Sequence, residues 1–180
     1  MLGWDHNVTA ATGEDVVVRG RDEQPNPLIN CYKCSDGRWL WMLGLEGDRH
    51  WPQVVEALGA PEWLDEQRFA GIEARMENSA ALTAEMDAIL LTKQRDEWGQ
   101  IFDEIGVWWA PVQSSIELLT DPQSRAAGCW VEVKTENEET IEMVASPIDF
   151  SVTEWEIANG APSLGQDTEL VLNELGVNWE

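Results

Sequence analysis

With two histidines and three cysteines among 180 residues, this chain offers few side chains to nucleophilic or metal chemistry. Cys31-Tyr-Lys-Cys34 has the spacing of a CxxC, which in other settings holds zinc or cycles between thiol and disulfide. The residues around it read as a strand, where positions three apart point to opposite faces, and no second ligand pair stands at a suitable distance. Metal and redox chemistry are therefore not expected. A serine nucleophile needs an imidazole to accept its proton. His6 falls in a segment that reads as a connection and His50 in the first turn of a helix beside Trp51, so each is expected to be a surface or partly packed imidazole. None of the fourteen glycines forms GxGxxG or GxxxxGK followed by Ser or Thr, so no phosphate-cradling loop is signalled. Carboxylates are too numerous for any one pair to stand out. The run Glu136-Asn-Glu-Glu-Thr140 lacks the ligand alternation and glycine of a calcium loop and reads as a solvated hairpin tip. Eleven tryptophans are present, eight of them (Trp39, Trp41, Trp51, Trp63, Trp98, Trp108, Trp109 and Trp130) in or beside predicted elements, which favours core or docking-surface packing over an aromatic ligand pocket.

The elements that would position these residues follow from periodicity. Residues 1–27, with Gly13, Gly20, Pro25, Pro27 and one short apolar run at Val16–Val18, read as a linker. Asp36-Gly37 is a two-residue turn signal between Ile29–Cys34 and Arg38–Leu43, predicting a hairpin. Trp39 and Trp41 alternate with Leu40 and Met42, which predicts a second strand covered on both faces. Asp48 is placed to cap a helix carrying Trp51, Val54, Val55 and Leu58, with Pro52 tolerated near its start and Gly59 as its stop. Asn78 precedes a helix with Leu82, Met86, Ile89 and Leu90. Trp98, Ile101, Phe102 and Ile105 form one apolar stripe ending at Gly106. Val107–Val112 reads as extended, Ser115–Leu119 as a short helix, and Cys129–Val133 with Thr140–Val144 as an antiparallel pair. Residues 146–163 are loop-rich, and a last short helix is expected over Gln166–Leu175. The mixed order of strands and helices gives an α/β or α+β class.

Composition limits partners and setting. Eleven basic against 34 acidic residues give a net charge of −23, which argues against nucleic acid and against an anionic membrane surface. Only Lys33, Lys93 and Lys134 supply lysine, a pattern compatible with a salt-adapted host as well as with an ordinary solvated acidic surface. No apolar run approaches the roughly 20 residues of a membrane span, and the first residues lack a basic segment followed by an apolar one. With an odd number of cysteines, these features lead us to expect a cytoplasmic protein.

Taken in order, the motifs resemble a family. Asn26-Pro-Leu-Ile-Asn-Cys-Tyr32, Ser35-Asp-Gly-Arg-Trp39, Asp48-Arg-His-Trp51 and Ala57-Leu-Gly59 look like the middle segment of family III (CaiB/BaiF-type) CoA-transferases. Gly106-Val-Trp-Trp-Ala-Pro-Val112, Leu118-Leu-Thr-Asp-Pro-Gln123, Ala145-Ser-Pro147, Pro162-Ser-Leu-Gly-Gln-Asp-Thr168 and Val171-Leu-Asn-Glu-Leu-Gly176 resemble the C-terminal segment. No single piece is diagnostic; their collinearity over residues 10–176 is what makes the match specific.

The resemblance implies an enzyme roughly twice this length, with a Rossmann-like large domain and a smaller inserted domain. This chain would then hold a linker (1–27), the small domain (28–145) and a C-terminal segment returning to the large domain (146–180). Family members form interlocked dimers, so a homodimer or a complementing N-terminal half is the implied partner. The transferases use an aspartate to attack an acyl-CoA thioester, passing through an acyl-enzyme anhydride and an enzyme-CoA intermediate. The racemase branch removes an α-proton instead. Coenzyme A thioester is thus the implied substrate, with no permanently bound cofactor. The aspartate and most CoA-phosphate contacts belong to the N-terminal half, so no catalytic residue is carried over. This agrees with the scarcity of basic residues, whose only cluster is Arg19 and Arg21. The glycine-rich lid of some transferases corresponds here to Gly20-Arg-Asp-Glu-Gln-Pro-Asn26, which has no glycine run. Residues that would line an acyl pocket are Gln24, Asn26, Asn30 and Tyr32, the last two serving equally well as structural members of the strand. Asp167 stands where the family often has histidine and is placed to cap or start the last helix. The alternative from another class is a non-catalytic module that binds a partner through its tryptophan-rich surface.

Overall fold

Alternating apolar residues in the strands and helical stripes in the segments after them converge on one interior. The computed structural model describes residues 3–17, 19–135, 137, 139–153, 155 and 160–177. Residues 1, 2, 18, 136, 138, 154, 156–159 and 178–180 of the segments predicted above lie outside the described residues. The chain divides into two units, Met1–Val112 and Gln113–Glu180.

The first unit opens with a helix where a linker was expected: α1, Gly3–Thr12, which ends at Gly13 in the left-handed region (φ 74°) with its N–H donating to the Thr9 carbonyl. None of its residues 6–12 is buried. Strands β1 (Ile29–Lys33), β2 (Trp39–Leu43) and β3 (Trp109–Val112) form an antiparallel sheet in that order, with Cys31 opposite Trp41 and Trp41 opposite Ala110. The β1–β2 connection is a three-residue loop, not the two-residue turn predicted. The Cys34 N–H donates to the Arg38 carbonyl, and Gly37 takes φ 80°, the conformation only glycine adopts without strain.

One face of this sheet is covered. Tyr32, Leu40 and Met42 point inward at no more than 1% exposure and join a core with Trp51, Val54, Val55, Leu82, Met86, Leu90, Trp98 and Phe102. These come from α2 (Gly47–Leu58), α4 (Ser79–Leu90) and α5 (Arg95–Ile105). Fully burying each such side chain is worth about 1.5–3 kcal/mol. Among the described residues of this unit the other face is less covered: Trp41 is 39% exposed and Val112 43%, contrary to the expectation that β2 is enclosed on both sides. Tryptophan on both faces of a strand fixes only the alternation; what covers each face is a property of the assembled elements.

Capping also differs in detail. The residue before α2 is Glu46, and Asp48 lies within the first turn, where it accepts a hydrogen bond from Arg75, a side chain only 3% exposed on α3 (Ile72–Glu77). The Arg75 guanidinium lies 4.8 Å over the Trp51 ring, so burial of this cation is offset by a carboxylate, the Phe69 carbonyl and a π face. Asn78 precedes α4 as predicted, and Gly106 closes α5 at φ 86°. The hairpin tip is fastened to α5: the Asp36 carboxylate accepts from the Arg95 N–H at 3.2 Å, and Arg38 pairs with Asp96 at 2.8 Å.

The second unit contains α6 (Ser115–Leu118), α7 (Pro122–Ala126), the antiparallel hairpin β4 (Trp130–Lys134) and β5 (Thr140–Val144), and α8 (Thr168–Glu174). Ser114 caps α6, and Asp121 caps α7 with Pro122 at its first position. Asp167 precedes α8 but its side chain makes no cap, so only the starting role expected of it is realised. No residue of α8 is buried.

Where α5 meets β3, Gly99 leaves room for the Trp109 indole; a Cβ there would fall inside the ring. Gly99→Ala is expected to destabilise the first unit by about 1–3 kcal/mol through overpacking, read as a lower urea midpoint at unchanged m.

Candidate functional site

Of the four residues proposed to line an acyl pocket, Gln24 and Asn26 lie on a strap leading into β1 and Asn30 and Tyr32 on β1 itself, and an arginine holds that strap. After Gly20 the chain makes a 3-10 turn at Arg21–Glu23, whose N-terminal N–H is met by the Glu23 carboxylate at 3.3 Å. Arg21 then reaches across the edge of the sheet. It donates to both carboxylate oxygens of Asp87 on α4, at 3.1 and 2.6 Å, and to the Cys31 carbonyl on β1 at 3.4 Å. Its guanidinium lies 5.7 Å from the Tyr32 ring centroid and 6.0 Å from that of Trp39. The planar fork makes a two-point contact a lysine does not reproduce. The Asp87 hydrogen bond, foremost, holds the Arg21 pKa above its ordinary value, with burial opposing it.

Three of the four candidates spend their polar groups on the strap itself. Asn30, 2% exposed, donates to the Arg21 carbonyl at 2.8 Å and accepts from the Cys31 N–H at 2.9 Å. Tyr32, fully buried, donates its hydroxyl to the Pro27 carbonyl at 2.7 Å. Asn26 donates to the Gly44 carbonyl at 3.2 Å and accepts from the Leu28 N–H at 3.0 Å, closing an Asx turn. Gln24 is half-buried and held only by a 3.4 Å contact from its amide nitrogen to the Arg19 carbonyl. Arg21 was visible in sequence as one of few basic residues; Asp87, one carboxylate among 34, carried no signal.

The remaining candidates have other roles. Of the two alternatives expected for His50, surface or partly packed, the structure shows a packed and buried ring: its centroid is 4.8 Å from that of Trp108, and its Nδ1 accepts from the Glu46 N–H at 3.3 Å. Cys31 is half-buried and Cys34 buried; burial, with Asp36 nearby, pushes the Cys34 thiol up to about 11. Such a thiol is almost wholly protonated at neutral pH, which disfavours both nucleophilic attack and metal ligation. Among the described residues no group of three or more His, Cys, Asp or Glu is arranged to hold a metal ion. Among the described residues, one hollow of about 400 Å³ lies beside α8, including Ser163, Gln166 and Asp167, and another of about 380 Å³ lies beside α1, lined by His6, Thr9, Ala10 and Asp15. Neither includes the strap residues. No helix among the described residues is long and apolar enough to cross a membrane.

Comparison with known proteins brings this geometry into a family context. The model of CoA-transferase family III matches residues 1–168. The (R)-2-hydroxy-4-methylpentanoate CoA-transferase of Clostridioides difficile is 26% identical over the whole chain, which spans 45% of that protein. The formyl-CoA:oxalate CoA-transferase of Shigella boydii is 28% identical over 90% of the chain and 40% of its own length. The crystal structure of a CaiB/BaiF family protein from Brucella suis superposes with a TM-score of 0.79 at 25% identity, covering 97% of this chain and 44% of that one. A Mycobacterium tuberculosis structure, 20% identical with a TM-score of 0.67, shares the fold. The chain thus spans less than half the length of the curated relatives it matches.

Two expectations follow for the strap. Arg21→Gln removes a charged two-point contact worth about 1–3 kcal/mol and should raise amide exchange over residues 20–28 while α5 amides stay protected; unchanged exchange at the strap would show that Arg21 does not hold it. Burial raises the Tyr32 hydroxyl pKa above its ordinary value of 10.0. Above about pH 10 the unfolded chain therefore sheds a proton that the folded chain keeps, and stability falls as pH rises from there. Tyr32→Phe should flatten that alkaline loss, as measured by urea midpoints between pH 8 and 11.

Proposed function

The chain belongs to CoA-transferase family III, and from that premise we propose that it supplies the small domain and returning C-terminal segment of an acyl-CoA:carboxylate CoA-transferase. The aspartate that attacks the thioester and most contacts to the CoA phosphates come, in this reading, from residues outside these 180. The observation that carries it is the match over residues 1–168 to a family whose curated members named above are about twice as long. The side-chain inventory supports it. Among the described residues, the buried Cys34 thiol is held protonated, and the buried arginines Arg75 and Arg95 are engaged within the chain.

The strap's role is then to present Gln24. Asn26, Asn30 and Tyr32 act with Arg21 to fix the backbone on either side of it, leaving its carboxamide as the group free to turn toward an acyl carboxylate or thioester oxygen. Once turned there, its N–H would donate to charge developing on that oxygen. Acyl-CoA is the substrate class; transfer of CoA to a carboxylate is preferred over racemisation because both curated relatives named above are called CoA-transferases.

A second reading, a non-catalytic module that holds a partner, is favoured by one observation: Trp41 and Trp108 stand 39% and 52% exposed on or beside the less covered sheet face.

The deciding experiment assays CoA transfer from acyl-CoA to a carboxylate by the purified chain, alone and mixed with the N-terminal portion of the C. difficile relative, with size-exclusion chromatography alongside. Activity only in the mixture, with co-elution, is the expected result. Activity of the chain alone would overturn the proposal, and neither activity nor co-elution would favour the binding module. In the active mixture, Gln24→Ala is expected to lower kcat/KM by about 10- to 100-fold, the range of one lost polar contact of roughly 1.4–2.8 kcal/mol, without changing co-elution.

A further inference from the structure

Residues 113–180 carry fourteen carboxylate side chains against two cations, Arg125 and Lys134, a net of −12. Apolar burial does little to offset that repulsion: among the described residues of this unit only Val133 and Ala145 are buried hydrophobics, whereas Ile141, Met143 and Val144 on β5 are exposed. The strand register sharpens the conflict by placing Glu132 directly opposite Glu142 in the hairpin. Like charges at directly opposed positions destabilise an antiparallel pair.

One side chain answers this repulsion locally. Arg125 on α7 forks both carboxylate oxygens of Glu142, donates through Nε to the Leu119 carbonyl at 2.6 Å, and lies 5.8 Å from the Trp130 ring centroid. It therefore ties α7, β4 and β5 together while neutralising one member of the opposed pair. Its effect is seen in Glu142, whose pKa it holds below the ordinary value. Two cations cannot pair with fourteen carboxylates, and the excess charge is screened by the solution. The Debye length is about 30 Å at 0.01 M salt, long enough for charges across a small unit to repel one another, and about 3 Å at 1 M, where only touching charges interact.

We infer that the C-terminal unit is an ionic-strength-responsive element: hairpin β4–β5 and its Arg125 clamp close when mobile ions screen the carboxylates and open as ionic strength falls. The device is independent of the transferase reading. Self-repulsion of a strongly charged chain opposes its compact state, and here it meets a unit with little buried apolar surface to oppose it.

The test is amide exchange on the full chain at fixed pH from about 0.02 to 1 M ionic strength, in KCl and separately in choline chloride. Opening of residues 130–134 and 140–144 is expected to fall at least about tenfold across that range, equally in both salts, while amides of β1 and β2 change less than about twofold. Glu132→Gln should protect the hairpin at low salt by about two- to fivefold and flatten its salt dependence. Arg125→Gln should do the reverse; should it yield no soluble protein, Glu132→Gln decides. A flat profile, an equal response in both units, or a response to KCl alone, which would mark a specific cation site, overturns the inference.

Discussion

Among the described residues of the first unit, one face of the sheet of β1, β2 and β3 is buried and the other is partly exposed, and the unit is organised around that asymmetry. Because side chains alternate across a strand, Tyr32, Leu40 and Met42 enter the core while Cys31 and Trp41 point away from it. The helices must therefore all lie on one side, and α2, α4 and α5 supply the stripes that meet the strands there. Gly99 sets how near α5 comes to β3, since the Trp109 ring occupies the space that any larger residue would need. A three-stranded sheet with one such face satisfies the minimum for stability in water, which is why the first unit holds nearly all of the buried apolar side chains.

The strap depends on the same sheet. β1 is an edge strand, and an uncovered edge exposes a row of unpaired backbone groups. Residues 19–28 run along it, with Arg21 donating to one edge carbonyl and Asn30 returning a donor to the strap. Fixing a segment this way costs backbone entropy of about 1–2 kcal/mol per residue, offset by the Arg21–Asp87 fork and by the buried Tyr32 hydroxyl bond. A loop held at so many points cannot move as a glycine-rich one does. The absence of a glycine run between Gly20 and Asn26 and the bonding pattern seen there are consequences of one design.

The two units solve the problem of charge differently. In the first, Arg75 and Arg95 are buried and shared among carboxylates, carbonyls and aromatic faces, so cations work inside the fold. In the second, two cations face fourteen carboxylates, and among the described residues little apolar surface is withdrawn from water.

The sequence by itself determined the local elements that have strong periods. The stripe from Trp98 to Ile105, the Asp36-Gly37 turn region, the helix after Asn78 and the β4–β5 pair were all legible, because a helical or alternating pattern records which side of an element is buried. The order of short motifs also carried the family. It did not reveal α1, none of whose residues 6–12 is buried, nor the loop length at Gly37, which depends on how the strands register. Only the tertiary structure decided that Asn30 and Tyr32 spend their polar groups inward, that Asp48 serves Arg75 instead of capping α2, and that Asp87, out of 34 carboxylates, is the one that meets Arg21. Those pairings join residues up to 66 positions apart, and no local pattern encodes a contact that exists only once separate elements have packed.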